Sequence, residues 1–472
     1  MTRYLFLIIL FAAGNIFAQS GRDPIGGADE PPASVKAELS VKDLFDEVNG
    51  YNKKKFAEYQ EKKIPFSENL RLQTQKQQRS LAAKYAAIAS QRTDLKGDDL
   101  YYIGLLYWIA ENYDGTADAS EKYTALPDAE PKKRQTARSL LVISLAKLAR
   151  YDEAETVLAD YKNAEPTAAT EIARMEVELA KSYIAAKRFA DAEKHALPAY
   201  STSKTIITAP DARSRNADEL LDTGMILFET RQAQNDEAGA DAALEDMRLV
   251  AALLKATTLY FYAADKQIVY QIESGRKKLA MENYISSLMR ATKEFSIPGQ
   301  QQDVINRLKK KETQYKLLGE SAPMLPAMDQ WFPGQPQTLH SLKGKVVLLD
   351  FWATWCGPCF DAFPHLIEWQ NDFADDGLVI LGITRYYGNV NNGRANKPDE
   401  IDFLKSFREK HKLNYDILVS DGQESQQIYG ALSLPTAVLI DRKGIVRYVE
   451  SGTSTTRLEE MREMMLKLLA EK

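Results

Sequence analysis

Lys345-Val346-Val347-Leu348-Leu349-Asp350-Phe351-Trp352-Ala353-Thr354-Trp355-Cys356-Gly357-Pro358-Cys359 is the stretch on which the reading of this chain turns. Val346 to Leu349 is an unbroken apolar run, the pattern of a buried strand. Asp350, Phe351 and Trp352 carry it to its end, and Cys356-Gly357-Pro358-Cys359 then opens a helix. A helix N-terminus gathers unsatisfied N–H groups and a partial positive charge. That setting stabilises a thiolate, so the first sulfur becomes a nucleophile near neutral pH. Gly357 lets the backbone turn tightly, and Pro358 suits the first helical turn, where its missing N–H costs nothing. The alternatives are a zinc half-site and a pair of inert core thiols. Zinc normally takes four ligands, whereas the chain has two Cys and four His, and neither His195 nor His340 shows ligand spacing. No metal is expected. Strand, Trp-Cys-Gly-Pro-Cys and helix occurring together favour a redox pair.

These residues resemble the thioredoxin superfamily. The longer pattern from Gly344 to Cys359 looks most like its exported TlpA/ResA-like thiol–disulfide oxidoreductases. The resemblance covers the last third of the chain, from Gly319 onward. It implies a redox-active Cys356–Cys359 disulfide with no other cofactor, Cys356 as attacking nucleophile and Cys359 as resolving thiol. It also implies a cis-proline at Pro435, in Ser433-Leu434-Pro435-Thr436, facing the disulfide. Trp355, Gly357, Pro358, Leu434 and Pro435 are then the substrate-binding residues. Asp350 stands at the position of thioredoxin's buried carboxylate. If buried, it would have a raised pKa and could accept the proton of Cys359. ResA-like proteins carry a Glu three residues after the second Cys; here that position is Ala362, which shifts weight to Asp350. Pro364 is expected to kink the active-site helix. Peroxidase chemistry of the peroxiredoxin kind is disfavoured, because the Pro and Thr expected before a peroxidatic Cys are absent.

Residues 1–18 have a basic start, an apolar block from Leu5 to Ala13 and a small residue at the end, the pattern of a secretory signal peptide. Export, to the periplasm or an equivalent space, would put the two Cys in an oxidising compartment. With 472 residues and only that pair, the chain does not use disulfides as staples. Residues 19–40 form a Gly- and Pro-containing flexible leader. With a net charge of −5, nothing basic enough to suggest nucleic acid is present, and the short Lys53–Lys55 and Lys309–Lys311 runs read as solvated helix faces.

Residues 41–318 read as helical, with Pro127, Pro131, Pro166, Pro198, Pro210 and Pro298 as breaks. Tyr113, Tyr151 and Phe189 recur at a spacing of 38 residues, as do Ile103, Leu141 and Leu179. The units look like tetratricopeptide repeats with lengthened loops. Stacked helix pairs offer a concave surface, read either as a docking scaffold for a protein partner or as a spacer. The repeat fades beyond Asp241. Residues 319–472 form the thioredoxin-like domain, with Ala322-Pro323 and Thr338–Leu342 resembling the family's N-terminal hairpin and Asn389–Lys397 a polar insertion. Predicted strands are Leu378–Thr384, Asp416–Val419, Ala437–Asp441 and Val446–Val449; predicted helices are Asp399–Lys410 and Thr455–Ala470. The fold class is therefore an all-α repeat array followed by an α/β domain with a mixed central sheet. The resulting expectation is an exported oxidoreductase that reduces protein disulfides, fed by a membrane electron donor. The competing reading is a helical-repeat interaction protein whose redox domain is a regulated binding module. The array is expected to fold independently, with a boundary at 319–336.

Overall fold

Helical periodicity up to Leu318 and β-type alternation beyond it become two kinds of structure. The computed structural model describes residues 39–209, 217–391 and 393–471. Residues 1–18, read as a signal peptide, and nearly all of residues 19–40, read as a leader, lie outside those residues, as does Pro210. The chain divides into two compact units, one ending at Pro166 and the other beginning at Thr167.

The first unit contains α1 (Val41–Glu61), α2 (Glu68–Ser90), α3 (Asp99–Ile109), α4 (Tyr113–Thr124), α5 (Pro131–Lys147) and α6 (Tyr151–Lys162). Ser40, Ser67 and Asn112 cap their helices by accepting from backbone N–H groups three residues on. Leu44, Val48, Leu81, Tyr85, Ile103 and Leu106 form its main apolar cluster.

The second unit continues with α7 (Ala169–Ala185), α8 (Phe189–Thr208), α9 (Ala217–Ala233), α10 (Glu237–Leu253), α11 (Thr257–Glu273), α12 (Lys277–Glu294) and α13 (Pro298–Leu317). The repeat has a local cause. Tyr113, Tyr151 and Phe189 each begin the second helix of a hairpin. Two residues earlier stand Glu111, Ala149 and Lys187, all in the left-handed region with φ of 58°, 59° and 58°. The next N–H reaches back to the carbonyl five residues before it, as in Arg150 to Leu145 at 2.9 Å and Arg188 to Tyr183 at 2.9 Å. This satisfies carbonyls that the helix end would otherwise leave open. Asn235, Lys255 and Gly275 take the same place before α10, α11 and α12. The hairpin turn therefore persists where the sequence pattern fades. Pro198, expected as a break, lies inside α8. The missing hydrogen bond is offset by the face that this helix buries, including Ala196, Ala199 and Tyr200.

The remaining elements are β1 (Gln330–Phe332), β2 (Val346–Phe351), α14 (Cys359–Phe373), β3 (Leu378–Arg385), β4 (Asn389–Val390), β5 (Gly393–Arg394), α15 (Lys397–Lys410), β6 (Asp416–Ser420), α16 (Glu424–Ile428), β7 (Thr436–Ile440), β8 (Val446–Ser451) and α17 (Thr455–Ala470). Six strands form one sheet in the order β1-β6-β3-β2-β7-β8. β2, β3 and β6 run parallel, while β1, β7 and β8 join antiparallel. The expected N-terminal hairpin does not form. Ser321 instead bridges Ile445, β1 pairs with β6, and residues 339–344 are turns. Pro333 and Pro336, lacking N–H groups, cannot extend a ladder. The polar insertion folds into the small β4–β5 hairpin.

Strand alternation gives the sheet two dissimilar faces. Val346, Leu348 and Trp352 pack with the cysteines and with α14, α15 and α17. Val347, Leu349 and Phe351 point the other way, into a core shared with Tyr260, Leu308 and Tyr315 of the helical array. Lys311 pairs with Glu450 at 2.8 Å, and Lys277 pairs with Glu320 at 2.7 Å. Secondary structure thus changes at 318/319, but the molecule divides at 166/167. The reason is that the apolar stripe of the later helices and the second sheet face cover each other, which neither could do alone.

Candidate active site

β2 delivers the chain to the site. Trp352 N–H donates to Ile383 O at 3.0 Å, closing the strand, and Cys356 N–H then donates to Ala353 O at 3.1 Å. Cys359 N–H donates to Cys356 O at 3.0 Å, and Phe360 N–H to Gly357 O at 3.0 Å. α14 therefore begins at Cys359, with Pro358 as its N-cap, and Cys356-Gly357-Pro358 is the turn ahead of it. The two sulfurs are bonded to each other, with Cα atoms 5.4 Å apart. Cys356, expected at an exposed end, is 4% exposed, and Cys359 is 1% exposed. Trp355, Gly357, Pro358 and Phe360 beside them are exposed. Asp361 adds a negative charge to the first turn of α14, and Pro364 lies inside that helix.

Asp350 is buried, and burial alone pushes its carboxyl up to about 7. Its Oδ2 meets no hydrogen-bond partner among the described residues, so nothing on the protein side compensates the charged form. In register beside it on β3 stands Gly382. A Cβ there would lie 2.9 Å from Trp352 Nε1 and 3.0 Å from the Tyr415 ring, so only glycine admits both large rings. On the other side Asp350 pairs with Ala437, which in turn pairs with Glu450. The small side chains of Ala437 and of Ala362 on α14 leave a cavity of about 20 Å³, which Asp350, Pro435, Glu450 and Met461 also line. That is room for about one water molecule. Asp350 is thus a carboxylate that can hold or release a proton near neutral pH beneath the redox helix.

The rim is apolar and aromatic. Trp355, 58% exposed, meets the Tyr387 ring edge-on at 5.2 Å, and Arg385 lies over that ring at 4.2 Å. Buried Glu400 holds the Tyr387 segment by accepting from Tyr387 N–H at 2.8 Å and Gly388 N–H at 2.7 Å. Leu434 packs against the cluster that contains both cysteines. The Leu434–Pro435 peptide is cis, and Pro435 O accepts from Gly452 N–H at 2.8 Å. Thr453 Oγ1 donates to Pro358 O at 3.0 Å, tying the β8–α17 connection to the Cys turn. Cys356, Cys359 and Leu434 share one cluster, and Asp350 and Pro435 share one cavity. Tyr387, Glu400 and Thr453 went unnoticed in the sequence, where nothing in their local pattern separates them from ordinary loop and helix residues.

Residues 318–449 match the AhpC/TSA family. The chain is 32% identical over 129 residues to the thioredoxin-like protein YneN of Bacillus subtilis (strain 168), covering 27% of this chain and 69% of that one. It is 30% identical over 138 residues to the thiol-disulfide oxidoreductase ResA of Geobacillus thermodenitrificans (strain NG80-2), covering 29% of this chain and 71% of that one. A solved thiol:disulfide interchange protein of the thioredoxin family from Chlorobium tepidum TLS aligns with 32% of this chain and 96% of its own, at 23% identity and a TM-score of 0.26.

Proposed function

The chain belongs, through its C-terminal third, to the thioredoxin-like thiol–disulfide oxidoreductases, and from that premise we propose that it is an exported reductant of protein disulfides. The observation that carries the reading is the bonded Cys356–Cys359 pair standing beside the Asp350 cavity and the Leu434–Pro435 loop. In the reduced protein the Cys356 thiolate attacks a substrate disulfide. A Cys356–substrate disulfide forms and one substrate thiolate leaves. Cys359 gives its proton to the Asp350 carboxylate, and its thiolate then attacks the Cys356 sulfur. The second substrate thiolate leaves, and the Cys356–Cys359 disulfide remains. Two electrons have passed to the substrate, and a membrane-carried dithiol donor would restore them.

Charge supports the reductive direction. A pair is reducing when its thiolate is poorly stabilised. Asp361 in the first turn of α14 opposes the helix-end field that would stabilise that thiolate. Trp355, Gly357 and Pro358 offer an exposed apolar platform for the substrate backbone, and the tetratricopeptide-like helices would dock a protein partner. Export rests on the sequence pattern of residues 1–18. The test is steady-state reduction of the insulin interchain disulfides by the full chain with dithiothreitol as electron source. Accelerated precipitation of the insulin B chain is the expected result, and a rate no faster than dithiothreitol alone would favour a binding module instead.

A further inference from the structure

Helix α13 of the helical array reaches the Pro435 loop. Gln314 is 3% exposed, and its Nε2 donates to Gly430 O at 3.2 Å and to Ser451 Oγ at 3.4 Å. Ser451 Oγ lies 2.7 Å from Thr436 Oγ1, which donates to Ser433 O at 2.6 Å. These bonds bracket Leu434 and Pro435: Gly430 opens the loop, while Ser433 and Thr436 flank the pair. The approach is close. Gly430 has φ +64°, and a Cβ there would stand 3.1 Å from Thr313 Cβ and 3.2 Å from Gln314 Cγ. One turn earlier, Lys311 grips Glu450 on the neighbouring strand at 2.8 Å.

We infer that Gln314 is a positioning residue for substrate binding, through which the helical array fixes the loop that presents Leu434 and Pro435 to a protein disulfide. This rests on the reading above that the loop faces the substrate. Gln314 touches neither sulfur, so the chemistry of the Cys pair does not depend on it. A loop without the brace must be ordered each time a polypeptide binds, and that ordering is subtracted from affinity. A small disulfide that needs only the sulfur is indifferent to the loop.

The experiment uses the full chain with Gln314→Met, which keeps length and apolar volume but has no donor. Insulin reduction gives KM and kcat, and reaction of the reduced protein with 5,5′-dithiobis(2-nitrobenzoate) reports the bare sulfur. Loss of a buried neutral hydrogen bond predicts a KM for insulin raised about three- to tenfold. kcat and the small-disulfide rate should stay at wild-type values. Ser451→Ala, which cuts the link from Gln314 to Thr436, should show the same split more weakly, and it decides the matter should Gln314→Met not fold. Wild-type KM in the folded variants overturns the inference. So does an equal loss on both substrates, the signature of general damage. If wild type itself leaves insulin intact, the proposed function falls and the brace with it; if only the split is missing, the brace alone falls.

Discussion

Reduced Cys359→Ser protein offered a disulfide-containing polypeptide should accumulate a covalent adduct through Cys356, while Cys356→Ser should lose turnover by on the order of 10³-fold or more. The reason is positional. Cys356, 4% exposed, lies in the turn ahead of α14 beside exposed Trp355, Gly357 and Pro358, whereas Cys359 is the helix's first residue and 1% exposed. A polypeptide can approach the first sulfur, and only an intramolecular attack reaches it from the second. Without the inner thiol the intermolecular bond has no resolving partner and persists. Non-reducing electrophoresis followed by peptide mass spectrometry locates the adduct. Adducts in Cys356→Ser and none in Cys359→Ser would reverse the order of attack.

Replacing Asp350 with Asn should stabilise the protein at alkaline pH while impairing it as a catalyst. Burial raises the Asp350 carboxyl in the folded state to about 7, against about 3.9 in an unfolded chain. Below about pH 4 both states hold the proton, and the group does not alter stability. As pH rises from about 4 to 7 the unfolded chain releases a proton that the folded chain keeps, so stability is lost progressively through that window. At pH 8 the burial penalty reaches about 2–4 kcal/mol, the upper figure being roughly three pH units at about 1.4 kcal/mol each. Asn has no charge to desolvate. Denaturant melts should therefore show Asp350→Asn more stable than wild type by that amount at pH 8 and nearly equal at pH 4. The same substitution should remove the rise in turnover centred near pH 7, because no carboxylate is left to take the Cys359 proton. A variant less stable than wild type at pH 8 would contradict a buried, uncompensated Asp350.

Much of this was legible locally. The Cys pair and the strand before it are written in contiguous residues whose period and turn chemistry decide the structure. The closing helix runs Thr455–Ala470, at the limits its apolar spacing suggests. The long-range features were harder. Asp350's position six residues before Cys356 suggests burial only by resemblance; what stands around it is Ala362 and Ala437, lining the same cavity, and Gly382 in register on β3. β1 is three residues long and flanked by Pro333, so its own sequence holds little strand signal, and its pairing comes from β6. The later repeats faded because the aromatic that opens a helix at Tyr113, Tyr151 and Phe189 gives way to Glu237, Thr257 and Lys277, although the left-handed turn before each helix is the same. The division at 166/167 was not legible because an apolar helix stripe does not say what covers it. Here it is the second face of the redox domain's own sheet, and with it comes Gln314, a residue that no local pattern marks as belonging to the site.

The central claim is that the Cys356–Cys359 pair donates electrons. Its most direct test is the equilibrium of the full chain with a graded glutathione redox buffer, following the dithiol fraction by alkylation and mass. The expected result is a pair more reducing than glutathione, oxidised until the buffer falls below about −240 mV. A potential near that of a strong thiol oxidant, about −120 mV, would contradict it.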